Sequence, residues 1–110
     1  MATLTVQAIT ADGLEPVYTA AAAGGDKLKP GANTFLHVVN GGASPITVTA
    51  ATPGNYYGSV ANPDLTVTVG ASGEQMIPIP VTPFADASDS GLASISYSDT
   101  TSVTVAALRV

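Results

Sequence analysis

Residues 64–69 read Asp64-Leu65-Thr66-Val67-Thr68-Val69, a strict alternation of polar and apolar side chains. Successive side chains of a β-strand point to opposite faces, so this stretch predicts a strand with one buried face and one wet face. Threonine suits the wet face because its branched Cβ is already stiff. The run is therefore typical of a half-buried strand.

The same alternation recurs in four more runs, at residues 3–8, 45–50, 92–97 and 102–108. Together the five runs predict an all-β fold, because no stretch carries the apolar stripe of a helix. Residues 16–21 are expected to form a further strand or a loop. We expect four residues on apolar faces to lie in the core: Val48, Val67, Ile95 and Val105.

Two runs alternate less regularly. Residues 33–40 are apolar on both faces, which predicts a central strand covered on each side. Residues 75–81 carry Pro78 and Pro80, and proline cannot donate a hydrogen bond to a neighbouring strand. This second run is therefore expected to be an edge strand.

Glycine-rich and polar turns separate the runs. Residues 40–44 and 70–73 lie at hairpin distance between strands, and residues 99–101 are expected to turn the penultimate strand into the last. About eight short, mostly antiparallel strands at this spacing predict a β-sandwich of jelly-roll type, or a closed barrel. With 110 residues and no visible linker, we expect one β-sandwich domain spanning residues 1–110.

The composition excludes several classes of function. Only 10% of residues are charged, the net charge is −5, and three Lys and Arg residues are the whole basic inventory. Nucleic-acid binding needs clustered cations, so we expect no nucleic-acid partner. No apolar run is long enough for a membrane span, and the first residues do not resemble a signal peptide. We therefore expect no membrane partner.

The sequence offers no convincing catalytic or metal site. His37 is the only histidine, it lies within an apolar strand, and no nucleophile motif accompanies it, so a structural role is expected. Cysteine is absent, which excludes thiolate sites and disulfides. Residues 86–91 resemble a calcium loop only faintly, since the closing bidentate Glu is missing, and a polar turn is expected instead. Residues 24–31 hold Lys27 and Lys29 and are expected to form a solvated loop. We therefore predict no enzyme, no cofactor and no metal.

The longest gap between predicted strands, residues 52–63, contains the strongest candidate interface: Asn55, Tyr56 and Tyr57. Adjacent tyrosines in a loop rich in Gly and Asn can stack on a sugar or anchor a protein contact. The alternative is that one tyrosine closes the end of the core and the other lies on the surface. The two terminal runs, near Thr3–Val6 and Val103–Leu108, are also candidates for strand addition to a neighbouring chain.

The order of these segments resembles a known family. Pro30–Asn40 runs into Ile46–Pro53, Leu65–Ala71 follows, then the proline-spaced Met76–Pro80, and a final Ser-Val-Thr-Val-Ala-Ala-Leu-Arg strand. From about Gly25 onward this pattern resembles small virion proteins of tailed bacteriophages, particularly phages of actinobacterial hosts, several of which are head decoration (capsid cement) proteins. The resemblance is one of strands and turns, and it carries no catalytic residues.

The resemblance implies a β-sandwich or β-tulip-like domain on the outer surface of an assembled capsid, often as a trimer. The expected function is decoration and stabilisation of the capsid, with the major capsid protein and further copies of the chain as partners. The expected location is the virion, after synthesis in the host cytoplasm. The alternatives are a phage tail or fibre β-domain, and a carbohydrate-binding or adhesion module that uses Tyr56 and Tyr57.

Overall fold

Short strands account for most of the regular structure in the computed structural model, which describes residues 2–53, 55–57, 60–61 and 64–110. The strands in this part of the chain are β1 (Ala2–Thr3), β2 (Val6–Ala8), β3 (Thr19–Ala20), β4 (Asp26–Leu28), β5 (Thr34–Asn40), β6 (Ile46–Ala50), β7 (Asn55–Tyr57), β8 (Val60–Ala61), β9 (Leu65–Val69), β10 (Glu74–Pro78), β11 (Ala93–Tyr97) and β12 (Val103–Arg109). A kinked helical turn at Val81–Phe84 and a 3₁₀ turn at Ala87–Asp89 connect β10 to β11. The predicted all-β class is confirmed.

Two five-stranded sheets face each other. Sheet A has the strand order β1-β4-β11-β6-β9, and sheet B has the order β10-β5-β12-β2 with β3 also paired to β12. Pairing is antiparallel except for β1 with β4 and β2 with β12. The predicted β-sandwich of mostly antiparallel strands is therefore confirmed, and β7 and β8 form a separate two-stranded sheet.

The core fills the space between the inner faces of the sheets. In β6 the residues Ile46, Val48 and Ala50 are buried while the threonines between them are half-buried, as the alternation predicts. Removing apolar side chains from water is the main stabilising term, about 25 cal/mol for each Å² buried. The largest fully buried apolar side chains are Leu28, Leu36, Val38, Val48, Val69, Ile79, Ile95, Val103 and Val105.

Three of the four expected core residues are confirmed. Val48, Ile95 and Val105 are at most 1% exposed, but Val67 is only half-buried and packs against the margin of the core. β9 is the last strand of sheet A, and Val67 lies at the middle of its open edge, whereas Val69, at the end next to the turn to β10, is fully buried. The alternation correctly predicted that Val67 faces the core, but its side chain is only partly removed from water.

The two irregular runs lie where they were predicted. β5 is a central strand, paired to β10 on one side and to β12 on the other, and β10 with its terminal Pro78 is the edge of sheet B. The terminal runs were predicted less well. Residues 3–8 were expected to form one strand but contribute to two, β1 of sheet A and β2 of sheet B. β12 lies between β5 and β2, so the expectation that it pairs with a neighbouring chain is wrong.

The turns connect the consecutive strands that were expected, but the two strands joined by each turn lie in different sheets. Residues 41–45 join β5 of sheet B to β6 of sheet A, and residues 70–73 join β9 of sheet A to β10 of sheet B. The turn at residues 98–102 likewise links β11 of sheet A to β12 of sheet B. The expected hairpins at residues 40–44 and 70–73 are therefore wrong, while residues 99–101 do turn the penultimate strand into the last. Each of the three turns carries the chain across the sandwich.

Asn40, at the end of β5, binds two of these turns together. Its side chain is 1% exposed, and its Nδ2 donates to the carbonyl oxygens of Ser44 (2.8 Å), Gly70 (3.2 Å) and Val69 (3.3 Å). Its Oδ1 accepts from the Gly42 amide at 3.0 Å. Both ends of the amide are thus paired, as a buried polar group requires.

Backbone hydrogen bonds add the third turn to the same cluster. The Gly41 amide donates to the Ser102 carbonyl at 2.9 Å, and the Asn40 amide donates to the Gly73 carbonyl at 2.8 Å. A side chain on Gly41 would place its Cβ 3.1 Å from the Ser102 oxygen, so a larger residue is disfavoured there. All three crossing turns therefore meet at one end of the sandwich, around Asn40.

The solvated loop expected at residues 24–31 is instead a strand. β4 pairs with β1 and β11, and both Asp26 and Leu28 are buried. A three-residue alternation, Asp26-Lys27-Leu28, is too short to be recognised, and an aspartate at a buried position argues against a core strand. The strand is defined by its pairing with β1 and β11, and Tyr97, distant in sequence, donates a hydrogen bond to the buried aspartate.

Replacing Asn40 should test its role in holding the turns together. Asn40→Ala leaves three carbonyl oxygens and one amide without their partner, so we expect a loss of about 2–4 kcal/mol of unfolding free energy. Asn40→Asp, nearly the same shape, should cost at least as much because a carboxylate would face those carbonyls. The measurement is urea denaturation, with Thr68→Ala on the exposed face as the control. An Asn40→Ala variant as stable as the parent would contradict the role.

Aspartate substitutions at the four predicted core positions should destabilise the protein in proportion to how deeply each side chain is buried. Val48→Asp, Ile95→Asp and Val105→Asp bury an unpaired charge and should prevent folding or cost more than about 4 kcal/mol. Val67→Asp should cost only about 1 kcal/mol, because the carboxylate can reach water at the sheet edge. Thermal denaturation followed by circular dichroism gives the ranking. Equal losses at all four positions would show that β9 is covered on its outer side.

Candidate functional site

His37 lies on the outer face of sheet B, 7% exposed, between two polar side chains. The Tyr18 hydroxyl lies 2.5 Å from its Nδ1, and the Glu74 Oε1 lies 3.1 Å from its Nε2. The Tyr18 ring also meets the imidazole edge-on, with centroids 5.4 Å apart. His37 is thus the centre of a three-residue polar cluster.

One tautomer of neutral histidine satisfies both contacts. Nδ1 accepts from the Tyr18 hydroxyl while Nε2–H donates to the Glu74 carboxylate. A carboxylate orienting a histidine is also found in catalytic triads, but here the third group is a phenol rather than a serine or cysteine nucleophile. Physically, the cluster fastens the end of the β2–β3 connection, which carries Tyr18, onto β5 and β10.

A second polar cluster surrounds Asp26 between the sheets. The Tyr97 hydroxyl donates to Asp26 Oδ2 at 2.8 Å, and the Ala22 amide donates to the same oxygen at 3.3 Å. Oδ1 is buried without a hydrogen-bond partner. Burial raises the pKa of Tyr97 well above its ordinary value of 10.0, and the Asp26 carboxylate adds to the shift.

Asp26 also borders a cavity of about 450 Å³ on the side of the sandwich where the chain passes from β1 to β2. Thr3, Leu4 and Thr5 of that passage line it, together with residues of β3 and β12. The walls are mainly apolar side chains and threonines. Asp26 is the ionisable residue that borders it.

The basic residues lie at two places. Lys27 forms an ion pair with Asp89 at 2.5 Å. Lys29 and Arg109 border a depression of about 610 Å³, with Thr3, Thr5 and Thr34. Both cations are exposed, so this is a solvated surface with a small positive bias.

The segment that faintly resembled a calcium loop is a compact turn. The amides of Asp89 and Gly91 donate to the Asp86 carbonyl at 3.0 and 2.8 Å, and Asp86 and Leu92 bridge the two ends. The Asp89 carboxylate contacts Lys27. Across the described residues, no group of three or more His, Asp or Glu side chains is placed to hold a metal ion.

The outer face of β6, β9 and β11, three adjacent strands of sheet A, is a surface of hydroxyl groups. The pairing register aligns Thr66 of β9 with Thr49 of β6 and Ser96 of β11, and it aligns Thr68 with Thr47 in the next row. Thr66, Thr68 and Ser96 are exposed and the other two are half-buried. β6, β9 and β11 contain no charged residue, so we call this the hydroxyl face.

The candidate interface residues Asn55, Tyr56 and Tyr57 form β7. It pairs antiparallel with β8, with Asn55 opposite Ala61, Tyr57 opposite Val60 and a bulge between them. Their side chains, and residues 54, 58–59 and 62–63 of the same loop, lie outside the described part of the structure. The predicted loop is therefore a small hairpin inserted between β6 and β9.

The polar clusters were not predicted from the sequence. His37 lies on an apolar strand as expected, but Tyr18 and Glu74 lie 19 and 37 residues away and carry no local signal. Asn40 offered a weak signal, since it ends a buried strand immediately before Gly41-Gly42. An Asn at such a position can cap a turn, and that is its role here.

Comparisons of the chain with protein-family models, with curated proteins and with solved structures found no match. Among the described residues, no helix is long and apolar enough to cross a bilayer. The function is therefore argued from the surfaces and clusters of this chain.

Tyr97→Phe should change the response of the protein to alkali. Because the folded state holds the Tyr97 proton above pH 10, where unfolded tyrosine releases it, the unfolding free energy of the parent should fall as pH rises past 10. The phenylalanine variant should lose this contribution to the slope, while being about 1–3 kcal/mol less stable at neutral pH because Asp26 loses a donor. Denaturation curves from pH 7 to 11 give both the stability at neutral pH and the change of unfolding free energy with pH. Tyr18→Phe is the control: it removes a hydroxyl that contacts His37, so the dependence of unfolding free energy on pH due to Tyr97 should remain. If the unfolding free energy of Tyr97→Phe falls with pH as steeply as that of the parent, the assignment is contradicted.

Proposed function

We propose that this protein is a non-enzymatic structural protein that decorates and stabilises the capsid of a tailed bacteriophage. The observation that carries the proposal is the hydroxyl face, an uncharged surface formed by three adjacent strands. The family resemblance of the strand order supports the same function. The protein would act on the outer capsid surface of the virion, after synthesis in the host cytoplasm.

An uncharged hydroxyl surface suits repeated protein contacts. Burying Thr and Ser costs less desolvation than burying Lys or Glu, and their hydroxyls can both donate and accept hydrogen bonds. A lattice presents the same site many times, so linked copies can bind firmly even when each contact is weak. The proposed partners are the major capsid protein and further copies of the chain, with the trimer implied by the resemblance.

The polar clusters support a structural function over an enzymatic one. Both ring nitrogens of His37 already contact Tyr18 and Glu74, so neither nitrogen is free to exchange a proton with a substrate. Each cluster instead joins segments that are distant in sequence, which is what a stable shell component requires.

A second candidate function rests on the β7–β8 hairpin. Tyr56 and Tyr57 lie on a two-stranded sheet separate from both layers of the sandwich. Aromatic residues on such an element suit a carbohydrate-binding or adhesion module, or a phage tail or fibre domain. This candidate predicts that the hairpin, rather than the hydroxyl face, makes the functional contact.

Purified protein added to undecorated phage heads should bind in many regularly spaced copies. We expect density on the outer lattice in cryo-electron microscopy and a higher temperature of head disruption, because each bound copy bridges capsid subunits. Thr47→Glu combined with Thr49→Glu places charge on the hydroxyl face and should reduce occupancy. Tyr56→Ala combined with Tyr57→Ala is the matched change on the hairpin.

The two pairs of variants separate the candidate functions. Occupancy lost with the glutamates and kept with the alanines supports capsid decoration through the hydroxyl face. No density on the lattice together with unchanged head stability would overturn the proposal. Density only on the tail, or sugar binding abolished by the alanines, would move the assignment to the second candidate.

A further inference from the structure

The outer edge of β9 is open. β9 ends sheet A, and among the described residues no strand pairs with it on the side away from β6. Such an edge presents alternate backbone N–H and C=O groups without partners, which makes it a template for another strand. Its five residues, Leu65–Val69, make it as long as β6, its neighbour in the sheet.

The features that usually protect a sheet edge are missing from β9. It contains no proline and no charged residue, and its register with β6 runs without a bulge. β10, the edge of sheet B, carries both Glu74 and Pro78 and is followed by Pro80. The other edge strands, β1, β2 and β3, are only two or three residues long. β9 is thus the long edge strand without protection in the described structure.

Two of the three apolar side chains on the core side of this edge are incompletely covered, while Val69 is fully buried. Leu65 is 38% exposed although it lies on the core side of the strand, and Val67 is half-buried. A strand added beside β9 would cover both with its own side chains. Exposed apolar groups next to unpaired backbone groups indicate a surface that is completed by association.

We propose that β9 pairs antiparallel with β9 of a second copy, about a twofold axis at Val67. In this register Leu65 faces Val69 of the second copy, Thr66 faces its Thr68, and Val67 faces Val67. Apolar residues then meet on the core side and threonines meet on the hydroxyl face. The two A sheets become one continuous ten-stranded sheet.

The strand is self-complementary, and this is why a second copy is the proposed occupant. All five residues pair in the register centred on Val67, and Asp64 then faces Gly70, so no like charges oppose each other. The two halves of the pair are equivalent, as an isologous twofold contact requires. The pairing goes beyond capsid decoration and does not depend on it. The trimer implied by the resemblance would need a different contact.

A single cysteine at the axis reports the pairing directly, because the chain has no cysteine. Directly opposite residues of an antiparallel pair have Cα atoms about 4.5 or 5.5 Å apart, and both spacings permit a disulfide. Val67→Cys should therefore form covalent dimers under mild oxidation in the absence of heads. Gln75→Cys, exposed on the other sheet edge, is the control and should remain mostly uncrosslinked.

Charge exchange tests the register. The double variant Thr66→Lys, Thr68→Lys places lysines opposite lysines in the proposed register. Both positions are exposed, so the variant should still fold, and circular dichroism checks this. Analytical ultracentrifugation should show association weakened roughly tenfold. Thr66→Glu with Thr68→Glu should do the same, and mixing the two variants should restore dimers. Thr47→Lys with Thr49→Lys, on β6 of the same face, is the control that should still associate.

The contact would be established by three results: the parent sediments as a dimer, Val67→Cys forms a covalent dimer, and mixing the lysine and glutamate variants restores dimers. A parent that sediments as one copy, or an association that the edge charges leave unchanged, would overturn it. Because these measurements use no phage heads, failure to dimerise and failure to decorate a capsid are separate results.

Discussion

The side chain of Asn40 is the contact on which this sandwich depends. The chain crosses between the sheets at three turns that meet around the buried Asn40 side chain, and the backbone groups that leave the strand ladders there need partners. One amide supplies the donor for three carbonyls and the acceptor for one N–H. Backbone bonds from Asn40 and Gly41 to Gly73 and Ser102 complete the cluster. The two sheets are thereby held in register at one end by hydrogen bonds, and apolar packing does the rest.

Buried polar groups tie down the other segments that packing alone does not position. Tyr18 and Glu74 hold His37 on the outer face of sheet B, and Tyr97 holds Asp26 between the sheets. Each contact joins parts of the chain far apart in sequence and therefore favours one arrangement of the strands. Such groups contribute specificity as well as stability, since an incorrect pairing would leave them buried without partners. Only 10% of the residues are charged, so the specific polar contacts between distant segments come mainly from these buried clusters.

The two surfaces with functional potential have a common origin in sheet A. The alternation that buries Val48 and Val69 places threonines on the opposite face, and this produces an uncharged hydroxyl surface. The same sheet ends in β9, whose edge lacks proline and charge. One surface suits contact with a repeating partner, and the edge suits contact with a second copy. Both follow from a strand composition that avoids charged residues.

The sequence by itself determined β5, β6, β9, β10, β11 and β12, the inward and outward faces of the alternating runs, and the edge position of β10, because side-chain alternation and the missing proline N–H act locally. It also predicted that His37 belongs to an apolar strand. Only the tertiary structure decided which sheet each strand joins, that β4 is a strand, that β12 is central and that Val67 lies at an edge. Sheet membership depends on hydrogen bonds between residues far apart in the chain, such as Asn40 with Val69 and Asp26 with Tyr97. A short turn such as residues 41–45 has the same composition whether it closes a hairpin or crosses a sandwich, so the local sequence could not distinguish the two.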